Sequence, residues 1–412
     1  MADISIEDEA ERENLLAKPP CFLIVGRPGV GKSTLARKIA DSWKCILVDD
    51  TDILKTHITH KTKPGLELLK ILYHGQSIPE EIVLQLILEK LNSPEVEHYG
   101  YVLSCLPFMS ERCLKIKEQI ELLKNLKLPP DFIINIKCSD TDLAERLSGL
   151  RQYPETGQFY ERGEWMRDVV STSKKEKEST TEEEEEEEEM VEEEIKKEMI
   201  DQMVWRPEYL KDNMEDRINT YKEIMLKPLE DYITQHNPVN LMELDGNDKP
   251  NDLHLYVMSR LGGMAIHHAS LPVLLSNDDD NLPEDTDMED LMRMMSSSNV
   301  VAPGFRWRRS RWGGTCPVAL KEGKIVPGIP DFCVGFQDKM YILSNAEAYE
   351  KFIVNPRRYL VPPMPRPPCR VCIIGPSLSG KSTLCNLVAQ HYNAHVLDVD
   401  ILVQTSLQQT EQ

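Results

Sequence analysis

The stretch CFLIVGRPGVGKSTLARKIADSW at residues 21–43 decides the fold. Its apolar beginning leads directly into the Gly-rich sequence GRPGVGKST at 26–34, and a helical pattern follows, so the expected order is strand, loop and helix. Glycines in such a loop let backbone N–H groups turn towards phosphate oxygens, and the start of the helix adds a favourable dipole. The stretch therefore predicts a phosphate-binding loop. Its predicted phosphate-contacting residues are Gly26, Gly29, Val30, Gly31, Lys32, Ser33 and Thr34.

Two kinds of side chain in this loop carry chemistry. Lys32 is expected to reach the phosphates that are transferred, and the hydroxyl of Ser33 or Thr34 is expected near a magnesium ion. The loop alone indicates a nucleotide. It does not choose among an ATPase, a GTPase and a small-molecule kinase, so the rest of the chain has to decide.

Five short apolar runs alternate with longer helical patterns between Pro19 and about Leu261. The runs are CFLIVG, CILVD, YGYVLSC, DFIINIK and VNLMEL. This alternation predicts an α/β fold in which a parallel sheet is wrapped by helices. No apolar run approaches the eighteen residues of a membrane span, and the acidic N-terminus does not have the pattern of a signal peptide. Because the ten cysteines have no regular spacing, we expect reduced thiols in a soluble cytosolic or nuclear protein.

The formal net charge of −21 argues against a nucleic-acid-binding protein, because that class neutralises phosphates with a basic surface. Much of the charge is local, in the low-complexity run KKEKESTTEEEEEEEEMVEEEIKKE at 174–198. Mutual repulsion of its glutamates predicts a solvated spacer. Residues 263–302 contain the polar stretch SNDDDNLPEDTDMED and are predicted to be a linker, and the Pro-rich VPPMPRPP at 361–368 predicts a stiffer one.

Four stretches, taken in order, resemble one enzyme family. They are the loop pattern G-x-P-G-x-G-K, then VDDTDILK, HGQSIPEEIV and GYVLSCLPF. In order and spacing they are similar to the nucleoside monophosphate kinases of the adenylate kinase type, over residues 19–262. The resemblance implies a P-loop domain with lid and acceptor-binding subdomains. It also implies Mg-ATP as the phosphoryl donor and AMP or another nucleoside monophosphate as the acceptor.

The resemblance further implies arginines around the transferring phosphoryl group. It places Arg146 in an RL-x-G pattern before a lid at about 152–205, with the acidic run inserted in the lid, and it places Arg206 and Arg217 at the lid's exit. Permanently charged, planar guanidinium groups suit a reaction in which negative charge spreads over the transferred oxygens. Lys32 and Arg206 are the expected main electrostatic catalysts, and Arg146 and Arg217 are expected to assist.

The acceptor half departs from the family pattern. Where the family's third strand ends in Asp-Gly-Phe-Pro-Arg, this chain reads Ser104 to Phe108, so the metal-organising aspartate and the phosphate-binding arginine are both replaced. Losing one preorganised charged donor costs on the order of a hundred- to a thousandfold in rate. The residues expected at the acceptor are Asp50, Lys55, Gly75, Ile78 and Arg112.

Three hypotheses about function follow. The first is an active nucleoside monophosphate kinase with a modified acceptor site that extends to nucleoside diphosphates. The second is a nucleotide-binding module with a decayed acceptor site and a regulatory or scaffolding role. The third is a general P-loop ATPase, and Ser104 argues against it because an acidic metal-organising residue is usual at that strand end.

Residues 303–360 predict a small α+β module that resembles YHS-type modules, some of which bind metal through cysteines. Cys316 and Cys333 alone would make a poor zinc site, because structural zinc takes four ligands, so we expect a structural or protein-docking role. At its start, FRWRRSRW at 305–312 interleaves basic and aromatic residues. In so acidic a chain, it predicts a strand edge that pairs with carboxylates.

The sequence GPSLSGKST at 375–383 repeats the loop pattern close to the end of the sequence. Its predicted phosphate contacts are Gly375, Gly380, Lys381, Ser382 and Thr383. A domain of this kind needs roughly a hundred or more residues to bury its sheet on both faces. We therefore expect 369–412 to be the incomplete start of a second kinase domain, in a shortened form of a longer chain.

Overall fold

The strand Cys21–Gly26 lies in the middle of a five-stranded parallel sheet in the computed structural model of the chain. The structure describes residues 9–74, 76–148, 151–152, 159–160, 204, 211–264, 266–275, 288–297, 305–361, 371–392 and 394–398. The chain divides into two units, residues 18–269 and residues 1–17 with 270–412.

The first unit contains the parallel sheet, in the strand order β2-β3-β1-β4-β7. Its strands are β1 (Cys21–Gly26), β2 (Ile46–Val48), β3 (Tyr101–Leu103), β4 (Phe132–Lys137) and β7 (Leu241–Asp245). Two further short strands, β5 (Arg151–Gln152) and β6 (Phe159–Tyr160), form an antiparallel pair within the predicted lid.

Helices connect the strands and cover the sheet. Helix α1 (Glu9–Leu16) precedes this unit in the chain and belongs to the second one. The helices of the first unit are α2 (Lys32–Trp43), α3 (Asp50–Thr59), α4 (Lys63–Tyr73), α5 (Glu80–Leu91), α6 (Pro94–Tyr99), α7 (Ile116–Lys124), α8 (Asp140–Ser148), α9 (Lys211–Thr220), α10 (Lys227–Gln235) and α11 (Pro250–Gly262). A π-helical turn at Tyr221–Leu226 joins α9 to α10, and a 3-10 turn at Pro238–Asn240 precedes β7.

Both faces of the sheet are buried, which is why its strands read as continuous apolar runs. Every residue of β1 is buried. Leu23 packs on one face with Val48 and Leu103, whereas Phe22 packs on the other face against the buried side of α2. The predicted P-loop α/β fold is confirmed for this unit.

The second unit is organised around a small mixed sheet in the order β8-β10-β11-β9. Its strands are β8 (Val273–Leu274), β9 (Arg308–Arg309), β10 (Cys333–Phe336) and β11 (Lys339–Ile342). Its further helices are α12 (Met288–Met295), α13 (Pro317–Lys321), α14 (Ala346–Val354), α15 (Pro356–Leu360) and α16 (Lys381–Tyr392), with a 3-10 turn at Pro330–Phe332.

The second unit extends beyond the predicted module at 303–360 on its N-terminal side. Leu15 of α1 is 3% exposed in the core formed with Phe336 and Phe352, and Glu11 forms an ion pair with Lys339. The segment predicted as a linker, 263–302, contributes two elements. Strand β8 pairs with β10, and α12 packs its apolar side into a smaller core with Trp307. The short apolar stretches on either side of SNDDDNLPEDTDMED are therefore parts of the second unit, because they cover the edge and one face of its sheet.

The two cysteines singled out in this module are buried among apolar side chains. Cys316 and Cys333 are both free thiols, and burial raises the pKa of Cys333 to about 12. Within the described residues, no group of three or more His, Cys, Asp or Glu side chains comes together to hold a metal. Arg308 of the edge strand β9 donates to the Asp338 carboxylate at 2.8 Å, as predicted for a strand edge that pairs with carboxylates.

None of the helices in the part of the chain that the structure describes combines the length and the apolar character needed to cross a bilayer.

Candidate functional site

The Gly-rich loop adopts backbone conformations that side chains tolerate poorly. Gly26 ends β1 with φ 153°, and a Cβ added there would lie 2.6 Å from the backbone oxygen of Ile136. Gly31 has φ 95° and forms the N-cap of α2. Val30 is buried and packs into the core under α2, which anchors the loop. The glycine spacing thus follows from the sharp turn between β1 and α2.

Lys32 is folded back over the loop from the first position of α2. Its Nζ donates to the backbone oxygens of Gly26 at 2.9 Å and Arg27 at 3.0 Å. Burial and the nearby charge of Arg217 lower the pKa of Lys32 to about 8, and Asp50 opposes this effect. The structure therefore brings together three residues predicted from the sequence, two cations and one carboxylate, at the carboxyl edge of the sheet.

Oxygen donors suited to magnesium surround the start of α2. Ser33 and Thr34 are exposed in its first turn. Asp50, the first residue of α3, is close enough to influence Lys32, and burial together with the Asp49 carboxylate raises its own pKa. Hydroxyls and carboxylates are the ligands that Mg²⁺ prefers, usually alongside substrate phosphates. These residues fit the ion that the family resemblance implies.

A buried carboxylate that sequence reasoning missed lies at the end of β2. Asp49 is 2% exposed, and it accepts hydrogen bonds from the Ser104 hydroxyl at 2.9 Å and from the Thr51 backbone N–H at 3.2 Å. Ser104 itself is buried. The signal was present in the sequence as the acidic pair that directly follows the second apolar run, but only the second residue of that pair was assigned a role.

An ion-pair cluster fixes the loop to the residues that follow β4, the strand next to β1. Arg27 contacts the Asp140 carboxylate at 2.6 Å, and Lys222 pairs with the same carboxylate. Arg27 also donates to the backbone oxygen of Cys138, just after β4. Arg27, to which the sequence analysis assigned no role, thus ties the loop to Asp140 of α8, which in turn holds Lys222 of the π-helical turn after α9.

The predicted acceptor residues are more dispersed. Lys55 is exposed on α3, and Ile78 is half-buried against the core beneath the sheet. Arg112 is exposed, and its backbone N–H donates to the Ser110 hydroxyl at 3.2 Å. Gly75 lies outside the described residues.

Two of the predicted arginines cannot be placed at the site. Arg206 lies outside the described residues. Arg146 belongs to α8, but its side chain is not among those that the structure describes. Arg217 is the lid-exit arginine that the structure places beside Lys32. It is half-buried on α9.

A buried glutamine holds the loop that follows β3. The side chain of Gln119 accepts from the Phe108 backbone N–H at 2.7 Å and donates to the backbone oxygens of Ser110 at 3.3 Å and Leu114 at 2.9 Å. It is 2% exposed. Gln119 therefore fixes the backbone of the segment that contains Phe108, the position at which the family has an arginine.

The second Gly-rich loop repeats part of the first one's geometry. Lys381 Nζ donates to the backbone oxygen of Pro376 at 2.6 Å, and Gly380 has φ 84°. Ser382 and Thr383 are exposed in the first turn of α16, a helix without any buried residue. Gly375 precedes that turn, and residues 371–376 do not form a strand.

Known proteins similar to this chain belong to one family. The family model described as Adenylate kinase matches residues 24–238. A mouse protein named Adenylate kinase 9 is 45% identical over 98% of this chain, which spans 22% of that relative's length. An adenylate kinase of Fusobacterium nucleatum is 32% identical over 34% of the chain and 64% of its own length. One of Methanothrix thermoacetophila is 34% identical over 32% of the chain and 59% of its own length.

Proposed function

Because this chain belongs to the adenylate kinase family, we propose that it transfers the γ-phosphoryl group of Mg-ATP to AMP or another nucleoside monophosphate. A phosphate oxygen of the acceptor attacks the γ-phosphorus, the bond to the β-phosphate's bridging oxygen breaks, and two nucleoside diphosphates leave. Nucleoside diphosphates are a further acceptor class of the same proposal, since the clamp for a monophosphate is altered at Phe108.

The main support for this proposal is the position of the Lys32 ammonium over the Gly-rich loop. Its ammonium is held over the loop by two backbone oxygens, beside Arg217 and Asp50. The like charge of Arg217 lowers the pKa of Lys32, and a polyphosphate anion bound at the loop would offset this repulsion. The same pair can neutralise the charge that spreads over the transferred oxygens.

Magnesium would be held near Ser33 or Thr34 and the carboxylates at the end of β2. When bound, it supplies charge neutralisation and orientation to the ATP phosphates. The protein's own residues hold the loop, present Lys32 and restrict water. In the family, restriction of water falls to the lid.

The acceptor half of the site decides between two functions, an active kinase and a nucleotide-binding module with a regulatory or scaffolding role. Phe108 supplies no positive charge, and Lys55 and Arg112 are both exposed. The ordered segment held by Gln119 supports an acceptor site that still has a defined shape.

The test is a steady-state assay with Mg-ATP and a panel of nucleoside mono- and diphosphates, in which product formation is followed by chromatography. Lys32→Ala is the loss-of-function variant. Lys117→Ala, an exposed lysine on α7, is the matched control. Acceptor-dependent diphosphate that disappears in Lys32→Ala alone establishes the kinase. ATP binding without acceptor turnover would refute the kinase activity and identify a nucleotide-binding module.

A further inference from the structure

Asp49 is unusual among the acidic residues of this protein. It is the only aspartate or glutamate that is buried among the residues whose burial the structure describes. Burying a carboxylate is costly unless it is paired or coordinates a cation. Within the part of the chain that the structure describes, the two side-chain and backbone donors to its carboxylate, the Ser104 hydroxyl and the Thr51 N–H, are both neutral. The charge of Asp49 therefore needs an explanation.

Strand alternation places Asp49 on the face of the sheet that carries α2. Val48 and Leu103 stand in register and pack on the opposite face with Leu23. Side chains alternate between faces along a strand, so the next residues, Asp49 and Ser104, point towards the α2 side. The backbone of Asp49 is extended, with φ −126° and ψ 136°, which maintains this alternation.

Helix α2 begins with the hydroxyls at which magnesium is expected. An ion pair at 3.2 Å between Arg37, in the middle of α2, and Asp52 of α3 also joins these two helices. Helix α2 contacts β2 and β3, and because the strands are parallel, the ends of β2 and β3 lie at the same edge of the sheet as the first turn of α2 with Ser33 and Thr34.

We propose that Asp49, oriented by Ser104, is the carboxylate that positions the magnesium ion of Mg-ATP at the Gly-rich loop. P-loop proteins that transfer phosphoryl groups pair the loop hydroxyl with an acidic residue from a neighbouring strand. Here the end of β3, next to β1, carries a serine, and the acid stands one strand further out, on β2. The serine hydroxyl bridges the gap by donating to the acid, which leaves the other carboxylate positions available to metal-bound water. This inference rests on the proposed use of Mg-ATP.

A purely structural role makes a different prediction. Asp49 is also the N-cap of α3, where its side chain accepts from Thr51. Asparagine and serine cap helices about as well as aspartate. Asp49→Asn and Asp49→Ser therefore remove the charge and keep the cap.

The experiment measures ATP affinity by calorimetry, with saturating Mg²⁺ and with EDTA. The variants are Asp49→Asn, Asp49→Ser and the exchange Asp49→Ser/Ser104→Asp, which restores an acid and a hydroxyl with their positions swapped. Asp41→Asn, which changes an exposed carboxylate in the last turn of α2, is the matched control. Thermal unfolding of each variant reports whether the fold is kept.

We expect Asp49→Asn to lose about tenfold to a hundredfold in affinity for Mg-ATP, the range seen when groups supporting a metal site are removed. Its affinity for ATP in EDTA should stay within about twofold of the wild type, because the carboxylate acts through the metal. Asp41→Asn should leave both affinities unchanged, and the exchanged pair should recover most of the Mg-ATP affinity.

Two outcomes would overturn the inference. If Asp49→Asn and Asp49→Ser bind Mg-ATP like the wild type, then Asp49 is a helix cap only. If both variants lose affinity equally with and without magnesium, then the residue supports the loop and not the ion. A wild-type protein that binds no Mg-ATP would instead refute the proposed function, so the two failures are distinguishable.

Discussion

Binding of Mg-ATP should draw a measurable fraction of a proton onto Lys32. Burial and the charge of Arg217 lower the pKa of Lys32 to about 8 in the nucleotide-free protein. About half of the molecules are then neutral at this position at pH 8, about a tenth at pH 7 and about nine tenths at pH 9. Phosphate oxygens beside the ammonium favour its charged form. The expected proton uptake on binding is therefore about 0.1 at pH 7, 0.5 at pH 8 and 0.9 at pH 9.

Calorimetry in buffers of different ionisation enthalpy measures this uptake, as the slope of the observed binding enthalpy against the buffer's ionisation enthalpy. Lys32→Arg is the matched variant because a guanidinium stays charged throughout this range, so its slope should be near zero at pH 8 and 9. Arg217→Gln removes the like charge, so the pKa of Lys32 should rise and the uptake at pH 8 should fall. An equal uptake in Lys32→Arg and the wild type would refute the reasoning.

The low pKa of Lys32 also makes the stability of the nucleotide-free protein depend on pH. The pKa of Lys32 is about 8 in the folded protein, against 10.5 for an ordinary lysine. Between these values the unfolded chain holds more protons than the folded one. The contribution of Lys32 to the free energy of unfolding of the nucleotide-free protein therefore increases as the pH rises through this window.

Three further perturbations test other parts of the structure. Gly26→Ala should weaken ATP binding at least about tenfold, because its Cβ would meet the Ile136 backbone oxygen at 2.6 Å and the φ of 153° would be strained; calorimetry showing unchanged affinity would contradict this. Leu15→Ala should destabilise the second unit by about 3 kcal/mol, because the side chain is 3% exposed in its core; faster amide hydrogen exchange in β10 and β11 would report it, and unchanged exchange would argue against the packing. Lys381→Ala should leave turnover by this polypeptide unchanged, whereas Lys32→Ala abolishes it; a loss of turnover in the first variant would mean that the second loop contributes to the reaction.

The first unit could be predicted in some detail because its sheet is buried on both faces. Each of the five apolar runs contains or overlaps one strand of the parallel sheet, and the loop stands between β1 and α2 as expected. Continuous apolar runs that alternate with helical patterns leave few other arrangements. Lys32 stands after the loop as that pattern predicted, whereas Asp50, which was expected at the acceptor, is close enough to influence Lys32 because the carboxyl ends of parallel strands meet at one edge.

The second unit could not be predicted to the same extent, because its contacts are remote in the sequence. Nothing local about Glu11 or Leu15 indicates that they pack against strands more than 300 residues further on. Strand β8 and helix α12 are similarly short apolar segments within a polar stretch, and composition alone predicted a linker there. Their structure depends on the surface that they cover.

The structure changes what the two departures from the family pattern after the third strand imply for activity. Read one position at a time, Ser104 removes an aspartate and Phe108 removes an arginine, and both count against activity. In the folded chain, the Ser104 hydroxyl donates to the buried carboxylate of Asp49 at the end of the neighbouring strand β2, so an acidic side chain remains beside the end of β3. Lys55 and Arg112, the two cations expected at the acceptor, are both exposed, so neither replaces the arginine lost at Phe108 with a buried positive charge. The donor half of the site is therefore more nearly complete than its motif suggests, and the acceptor half is where a kinase and a nucleotide-binding module differ.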